Sequence, residues 1–392
     1  MRERSSHPNI NKPMYVKYFT RKMFYQTLLI VFLVLLGGYL YSNVDENLER
    51  QGIATGFDFL SESAGFSIGE SSITYHMLDS YGRAILVGIL NSVHVFTVGI
   101  VCATILGFTI GVSRNSSNWL LSKIASTYVE ICRNVPVVLH VIFWAAVIRF
   151  LPSVREPITL FENVKITNRG LYFPILKYNS VYVWMAVFFV IAVILSILLN
   201  RWATSRQTRT GIELNTLWLR ASLIIFIPII VWLFSGVPLE WDVPTLGTFN
   251  YHGGMMISPE YLILLIGISV YTSAFIAEIV RAGINSVPIG QIEAAKALGL
   301  KNKYIMRYIK IPQAMKVIVP PITSQYLSLA KNSSLGVLVG YPDLVNIGNT
   351  TLNQSGRAVE AIFIMMIVFL FFSLIISTVM NTYNRYLRRT DR

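Results

Sequence analysis

Long uncharged runs alternate along this chain with short polar connections, and the runs are too long to be strands. Residues 23–41 and 84–112 carry no charge, the second over 29 residues. Residues 124–148 are apolar except for Glu130 and Arg133. The runs 178–200, 221–239 and 361–384 are uncharged, 261–277 is clean up to Glu278, and 317–341 is broken only by Lys331. About 17–25 predominantly apolar residues cross a bilayer as a helix. In hydrocarbon every backbone polar group must be satisfied within its own segment, which selects helices. The pattern predicts an all-α integral membrane protein with about eight transmembrane helices.

Composition agrees: 54% of the 392 residues are hydrophobic and 14% charged, against about a quarter charged in an ordinary soluble domain. The net charge of +13 raises the possibility of nucleic acid as a partner, but the distribution of basic residues argues against it. With the amino terminus inside, Arg2, Arg4, Lys12, Lys17, Arg21 and Lys22 fall on the inner side. So do Arg114, Lys123, Arg201, Arg206, Arg209, and Arg385, Arg388, Arg389 and Arg392 of the tail. The outer loop 43–83 has only Arg50 and Arg83 against seven carboxylates, and 240–260 has no Lys or Arg. Loop 151–177, with Arg155, Lys165, Arg169 and Lys177, is the exception. Positive charge retained inside sets orientation, placing both termini in the cytoplasm of a multi-pass membrane protein, with lipid rather than nucleic acid around it. The first run exceeds a signal-peptide core and lacks a small-x-small cleavage site, so it is expected to remain as a helix. Cys102 and Cys132 lie within spans and are expected to be packing residues; no metal site is expected.

Four regions follow: 1–83 (inner tail, first span, outer loop), 84–150, 151–260 (outer loops and two further spans) and 261–392, with an inner loop 282–316. The outer run GFDFLSESAGFSIGESSITY suggests a short amphipathic cap on the outer face. In the inner loop, Pro288 suits a first helical turn, and Ile292, Ala295 and Gly299 share one helical face. Gly299 is placed to end the helix in a left-handed conformation, Asn302 to cap a second, and Pro312 to stop that one. Lys303, Arg307 and Lys310 fall opposite Tyr304, Ile305, Tyr308 and Ile309. Two readings fit such a pair of short helices: an interfacial anchor on anionic headgroups, or a docking element whose small residues admit another protein's surface.

The spacing Glu293-Ala294-Ala295, Gly299, Ile309, Ile311, Pro312 resembles the Glu-Ala-Ala loop of ABC-importer permease subunits, with Ile311 for the usual Leu. The stretches YVEICRNVPVVLHVIFW, SAFIAEIVRAGINSVPIGQIEAAKALGL, LAKNSSLGVLVGYPDLVN and NTTLNQSGRAVE resemble the polar amino-acid branch. The outer run 56–75 and the additional spans resemble the larger permease subunit of general L-amino-acid importers. The resemblance covers roughly 55–390. It implies a type I permease core of about five helices, to which spans one, four and five are additions. It further implies that the loop inserts into a separate ATP-binding subunit, which holds ATP and magnesium. A periplasmic binding protein would deliver polar L-amino acids, and a second, different permease subunit would complete the path. No G-x-x-x-x-G-K-[ST] phosphate loop occurs in the chain, so ATP is expected on the partner. On this reading the chain is no enzyme but an alternating-access path. An ion-coupled secondary transporter is the alternative, but it would need inverted halves and mid-membrane acids.

Charges in spans need a reason, because each costs roughly 2.5–3.5 kcal/mol at the bilayer centre. Lys331, about 22 Å into its span, precedes Asn332, Ser333 and Ser334 and could meet a substrate carboxylate; the plain alternative is a lysine paired with a carboxylate or reaching outward. Many amino-acid permeases have Asp after this Lys, so Asn332 suggests a site favouring cationic substrates less strongly. Glu130/Arg133 and Glu278/Arg281, each three apart near inner ends, are candidates for an inner gate or for a simple ion pair fixing register. His94 and His140 are expected to be hydrogen-bonded packing residues.

Overall fold

The computed structural model describes residues 21–50, 56–211, 215–236 and 239–389. The basic residues Arg2, Arg4, Lys12, Lys17 and Arg392, on which part of the orientation rests, lie outside the described residues. The chain divides into two compact units, 1–90 with 344–372, and 91–343 with 373–392.

The first unit begins with α1 (Arg21–Arg50), whose segment Met23–Val44 has its described side chains exposed, as a helix surrounded by lipid must. A short 3₁₀ turn, Asp58–Ser61, follows. It carries Phe59 into a core with Tyr81, Ala84, Val87, Leu344 and Ile347, flanked by Ile364, Val368 and Phe369. The Gly56 N–H donates to Glu360 Oε1 at 2.7 Å. The apolar side of the outer run is thus consumed by packing, with Ser and Gly left at the surface.

The second unit contains the later part of α2 (Tyr81–Arg114), then α3 (Trp119–Asn134) and α4 (Val137–Arg149). Strands β1 (Ile158–Leu160), β2 (Val164–Thr167), β3 (Gly170–Phe173) and β4 (Ile175–Leu176) come next. Helices α5 (Ser180–Thr210) and α6 (Leu217–Phe234) pack on each other as a hairpin. The short strands β5 (Trp241–Asp242), β6 (Thr245–Leu246), β7 (Tyr251–His252) and β8 (Met255–Ile257) return to the bundle. Then come α7 (Pro259–Asn285), α8 (Ile289–Ala297), α9 (Asn302–Ile305) and α10 (Ile311–Asn332). Helix α11 (Leu344–Ser355) belongs to the first unit, and α12 (Ala358–Arg389) closes the chain.

Helix α7 is the centre of the second unit, with Leu264, Ile268, Ile276, Ala277 and Val280 all buried and α3, α4 and α10 against it. The face of α2 toward α7 is built from Gly99, Ala103, Gly107 and Gly111, one small residue every fourth position. A β-carbon on Gly107 would stand 2.6 Å from Ile276 Cβ, and one on Gly111 2.7 Å from the Ala277 carbonyl. The backbones therefore touch, the mode of association available in lipid, where burial of apolar surface gives no drive. Polar pairs add to it: Tyr128 with Ser273 at 2.8 Å and Thr104 with Tyr326 at 2.7 Å.

Among the described residues six helices are long and apolar enough to cross a membrane, or seven if one bent pair is a single span. The expected number of about eight and this count of six or seven differ at two places. The run 124–148 is α3 plus α4, bent by 107°. Pro136 pushes Val135 into extended backbone (φ −98°, ψ 128°) and cannot donate into the ladder. The run 317–341 is helical only to Asn332, then winds as a 3₁₀ turn, Ser333–Leu338. Helix α10 also holds Thr323, Ser324, Gln325, Ser328 and Lys331, too polar to rank with the others.

The spans are helical as expected, and short strands form only in the inserted loops. Strands β1, β2, β3 and β8 make one antiparallel sheet, and β4–β5 and β6–β7 pair separately. Outside lipid a loop can satisfy its backbone by hairpin pairing, and alternation in VKIT and GLYF turns Thr167, Gly170 and Tyr172 inward. The Tyr172 hydroxyl donates to Asn250 Oδ1 at 2.6 Å and Arg169 to the Phe249 carbonyl at 2.7 Å, joining the two inserted loops. Cys102 and Cys132 are free thiols. His140 is buried against the Cys132 carbonyl at 3.1 Å, and His94 stacks on Tyr261 with centroids 5.0 Å apart.

Candidate functional site

The loop after α7 is built by local chemistry. Helix α8 ends at Ala297 with Leu298 as its cap, and Gly299 takes φ +77°. The Leu300 N–H reaches back to the Ala295 carbonyl at 3.1 Å and the Gly299 N–H to Lys296 at 2.9 Å. This double closure needs a left-handed residue, which glycine supplies without steric cost. Ala295 is 3% exposed and faces inward, so it is not part of the face a partner would meet. Glu293, Ala294 and Gly299 are exposed, together with Ile289, Leu298 and Tyr308, at 71%, 80% and 63%.

Lys301, not Asn302, precedes α9 at its cap position, and no side-chain cap bond forms there. Nor does Pro312 stop the second helix. The chain passes from α9 through a π-type turn, Met306–Lys310, directly into α10, with Pro312 in its first turn. There the missing N–H would have had no helical partner. Ile309 is half-buried in the π-type turn. The loop is therefore continuous with α10, which carries Lys331 in its last turn.

The inner-gate candidates rearrange. Glu278 receives Arg281 at 2.6 Å, Arg133 at 3.5 Å and Arg114, binding α2, α3 and α7 through one carboxylate. Arg133 also lies over the Phe275 ring, 5.4 Å from its centroid. Glu130 takes no part in an ion pair among the described residues; it is exposed, while Arg133 turns to α7. By hydropathy Arg114 falls in an inner loop, whereas it ends α2 as the last residue of that helix.

Lys331 is exposed and pairs with no carboxylate among the described residues. Asn332 is half-buried beside it. Ser333 is fully buried, its hydroxyl donating to the Ala330 carbonyl at 2.8 Å, and Ser334 donates to the Lys331 carbonyl at 2.7 Å. Both hydroxyl protons are thus spent on their own turn, so toward any other group these serines can only accept. Downstream, Asn91 Nδ2 donates to the Pro342 carbonyl at 2.9 Å, holding the segment after the 3₁₀ turn.

Residues 214–390 match the family described as "Binding-protein-dependent transport system inner membrane component". The general L-amino acid transport system permease protein AapQ of Rhizobium johnstonii is 45% identical over 373 residues, 95% of this chain and 93% of its own. This chain belongs to the ABC-importer permease family. The glutamate/glutamine/aspartate/asparagine transport system permease protein BztB of Rhodobacter capsulatus is 36% identical over 93% of both chains. The crystal structure of an amino acid ABC transporter with histidines covers 78% of this permease and 95% of its own chain, with 18% identity and a TM-score of 0.46. AapQ and BztB lend no support to an ion-coupled mechanism for the permease.

Proposed function

We propose that this chain is the translocation-path subunit of an ATP-driven importer of polar L-amino acids. One observation carries the reading: between two bundle helices lies a loop whose short helix, α8, is closed by a left-handed Gly299, and the loop exposes Ile289 and Leu298 at the ends of α8 and Tyr308 in the π-type turn. Large apolar side chains on a water-facing element mark a protein partner, and here the partner is an ATP-binding subunit that holds ATP and magnesium. Closure of that subunit displaces α8, and the continuous segment α9–α10 carries the displacement to the turn at Lys331–Ser334. Both termini lie inside, and a periplasmic binding protein delivers substrate at the outer ends of α4 and α7. A second, different permease chain completes the path. Amino acids are the substrate class because the full-length relatives AapQ and BztB are named for amino-acid transport.

The test is Gly299→Asp in the reconstituted complex. No atom would crowd the new side chain, but φ +77° costs a non-glycine residue up to about 1–2 kcal/mol and a carboxylate now stands on the exposed face, so the closure of α8 and its docking contact are weakened while the spans stay intact. Membrane insertion is expected to be normal and ATP-dependent uptake of L-glutamine lost. Normal uptake by this variant would remove the docking assignment.

A further inference from the structure

At the ends of α4 and α7 that the importer reading places outside, a cavity of about 370 Å³ opens. Ile142, Ala146 and Leu338 are among the apolar side chains that line it, and three polar side chains share the lining: Arg149, Glu260 and Asn168. Arg149 ends α4 and Glu260 begins α7. Each sign suits its helix terminus, which accounts for each charge separately. It does not account for both lining one cavity without meeting: neither Arg149 nor Glu260 has an ion pair or hydrogen bond among the described residues. Opposite charges that line one small cavity without pairing match a ligand that carries both charges itself.

We propose that this cavity is a reception site for zwitterionic α-amino acids, separate from the turn at Lys331. The guanidinium of Arg149 presents a planar pair of donors that fits a carboxylate, and the Glu260 carboxylate accepts from the α-ammonium. The side chain of the amino acid lies along Ile142 and Leu338, with the Asn168 amide offering a donor and an acceptor to a polar end. The volume is within the range of small-molecule sites, about 300–1,000 Å³. Asn168 stands in the turn between β2 and β3, so the inserted sheet supplies one edge of the site. A loop that looks like a mere addition in the sequence thereby completes the outer mouth of the path.

The proposal rests on the importer reading, and the experiment separates the two. The whole importer is reconstituted with Ala146→Cys in a permease whose Cys102 and Cys132 are serine. The cysteine is labelled from outside with a membrane-impermeant thiol reagent, without binding protein. L-Glutamine is expected to slow labelling, and L-glutamine α-carboxamide, which lacks the carboxylate, is expected to have no effect. Adding Arg149→Gln or Glu260→Gln should raise the half-protecting glutamine concentration about tenfold, the loss of one charge-assisted hydrogen bond. Labelling indifferent to glutamine, equal protection by the carboxamide, or unchanged protection in both charge variants overturns the site. Should a charge variant not assemble, the glutamine-against-carboxamide comparison in the Ala146→Cys importer alone decides. Failure of the unaltered importer to take up L-glutamine or any other polar amino acid would instead overturn the importer reading, and with it the proposal.

Discussion

Gly107→Ala isolates the close approach of α2 and α7. The added β-carbon would lie 2.6 Å from both Ile276 Cβ and Cγ2 and 2.9 Å from the Ser273 carbonyl oxygen. Carbon atoms rest at about 3.5–4.0 Å, so the helices must part by about 1 Å, and a carbonyl on a central helix does not swing aside. Overpacking of this kind costs about 1–3 kcal/mol. Against it stands the helix-propensity gain of Gly to Ala, about 1 kcal/mol, leaving a net loss of up to about 2 kcal/mol. Gly38→Ala supplies the control: nothing lies within 4 Å of that position, so only propensity acts and the sign should reverse. Equilibrium unfolding in mixed micelles with rising SDS measures both. Adding Gly111→Ala to Gly107→Ala should cost less than the sum, because one separation relieves both clashes. If Gly107→Ala is as stable as the parent, the helices do not meet backbone to backbone and the small-residue account is wrong.

Two further outcomes follow from the charged side chains. Glu278→Gln strands three guanidinium groups; because the carboxylate is 26% exposed, the loss should fall below that of a fully buried pair, at about 2–3 kcal/mol. Combining it with Arg114→Gln should then cost less than the two single losses added, in the same SDS titration; strict additivity would mean that the two do not interact. Lys331→Met should assemble normally, since no carboxylate depends on it among the described residues, yet lose uptake of L-glutamine in proteoliposomes. Undiminished uptake would take Lys331 out of the path.

Several features were legible in the order of residues alone. Uncharged runs such as 84–112 can only be helices in lipid. A left-handed Gly299 followed from glycine chemistry alone. The span count did not, because hydropathy sums over a window and is blind to direction: Pro136 bends an apolar run by 107° without changing its composition. Nor did the sheet, whose strands of two to four residues are too short to leave a periodic signal. The four-residue rhythm of Gly99, Ala103, Gly107 and Gly111 was present in the sequence, but meaningless until α7 lay against it.

What the sequence determined by itself is whatever depends on one segment and its solvent: membrane residence, helix over strand within the spans, and the residue that closes α8. Tertiary structure decided which side chains meet across segments. It drew Arg133 to Glu278 rather than to Glu130, turned Ala295 inward, left Lys331 without a carboxylate partner among the described residues, and set Arg149 and Glu260 on one cavity 111 positions apart in the chain. Partner choice between helices is fixed by where backbones can approach and which groups can leave water together, and neither quantity is local to any stretch of sequence.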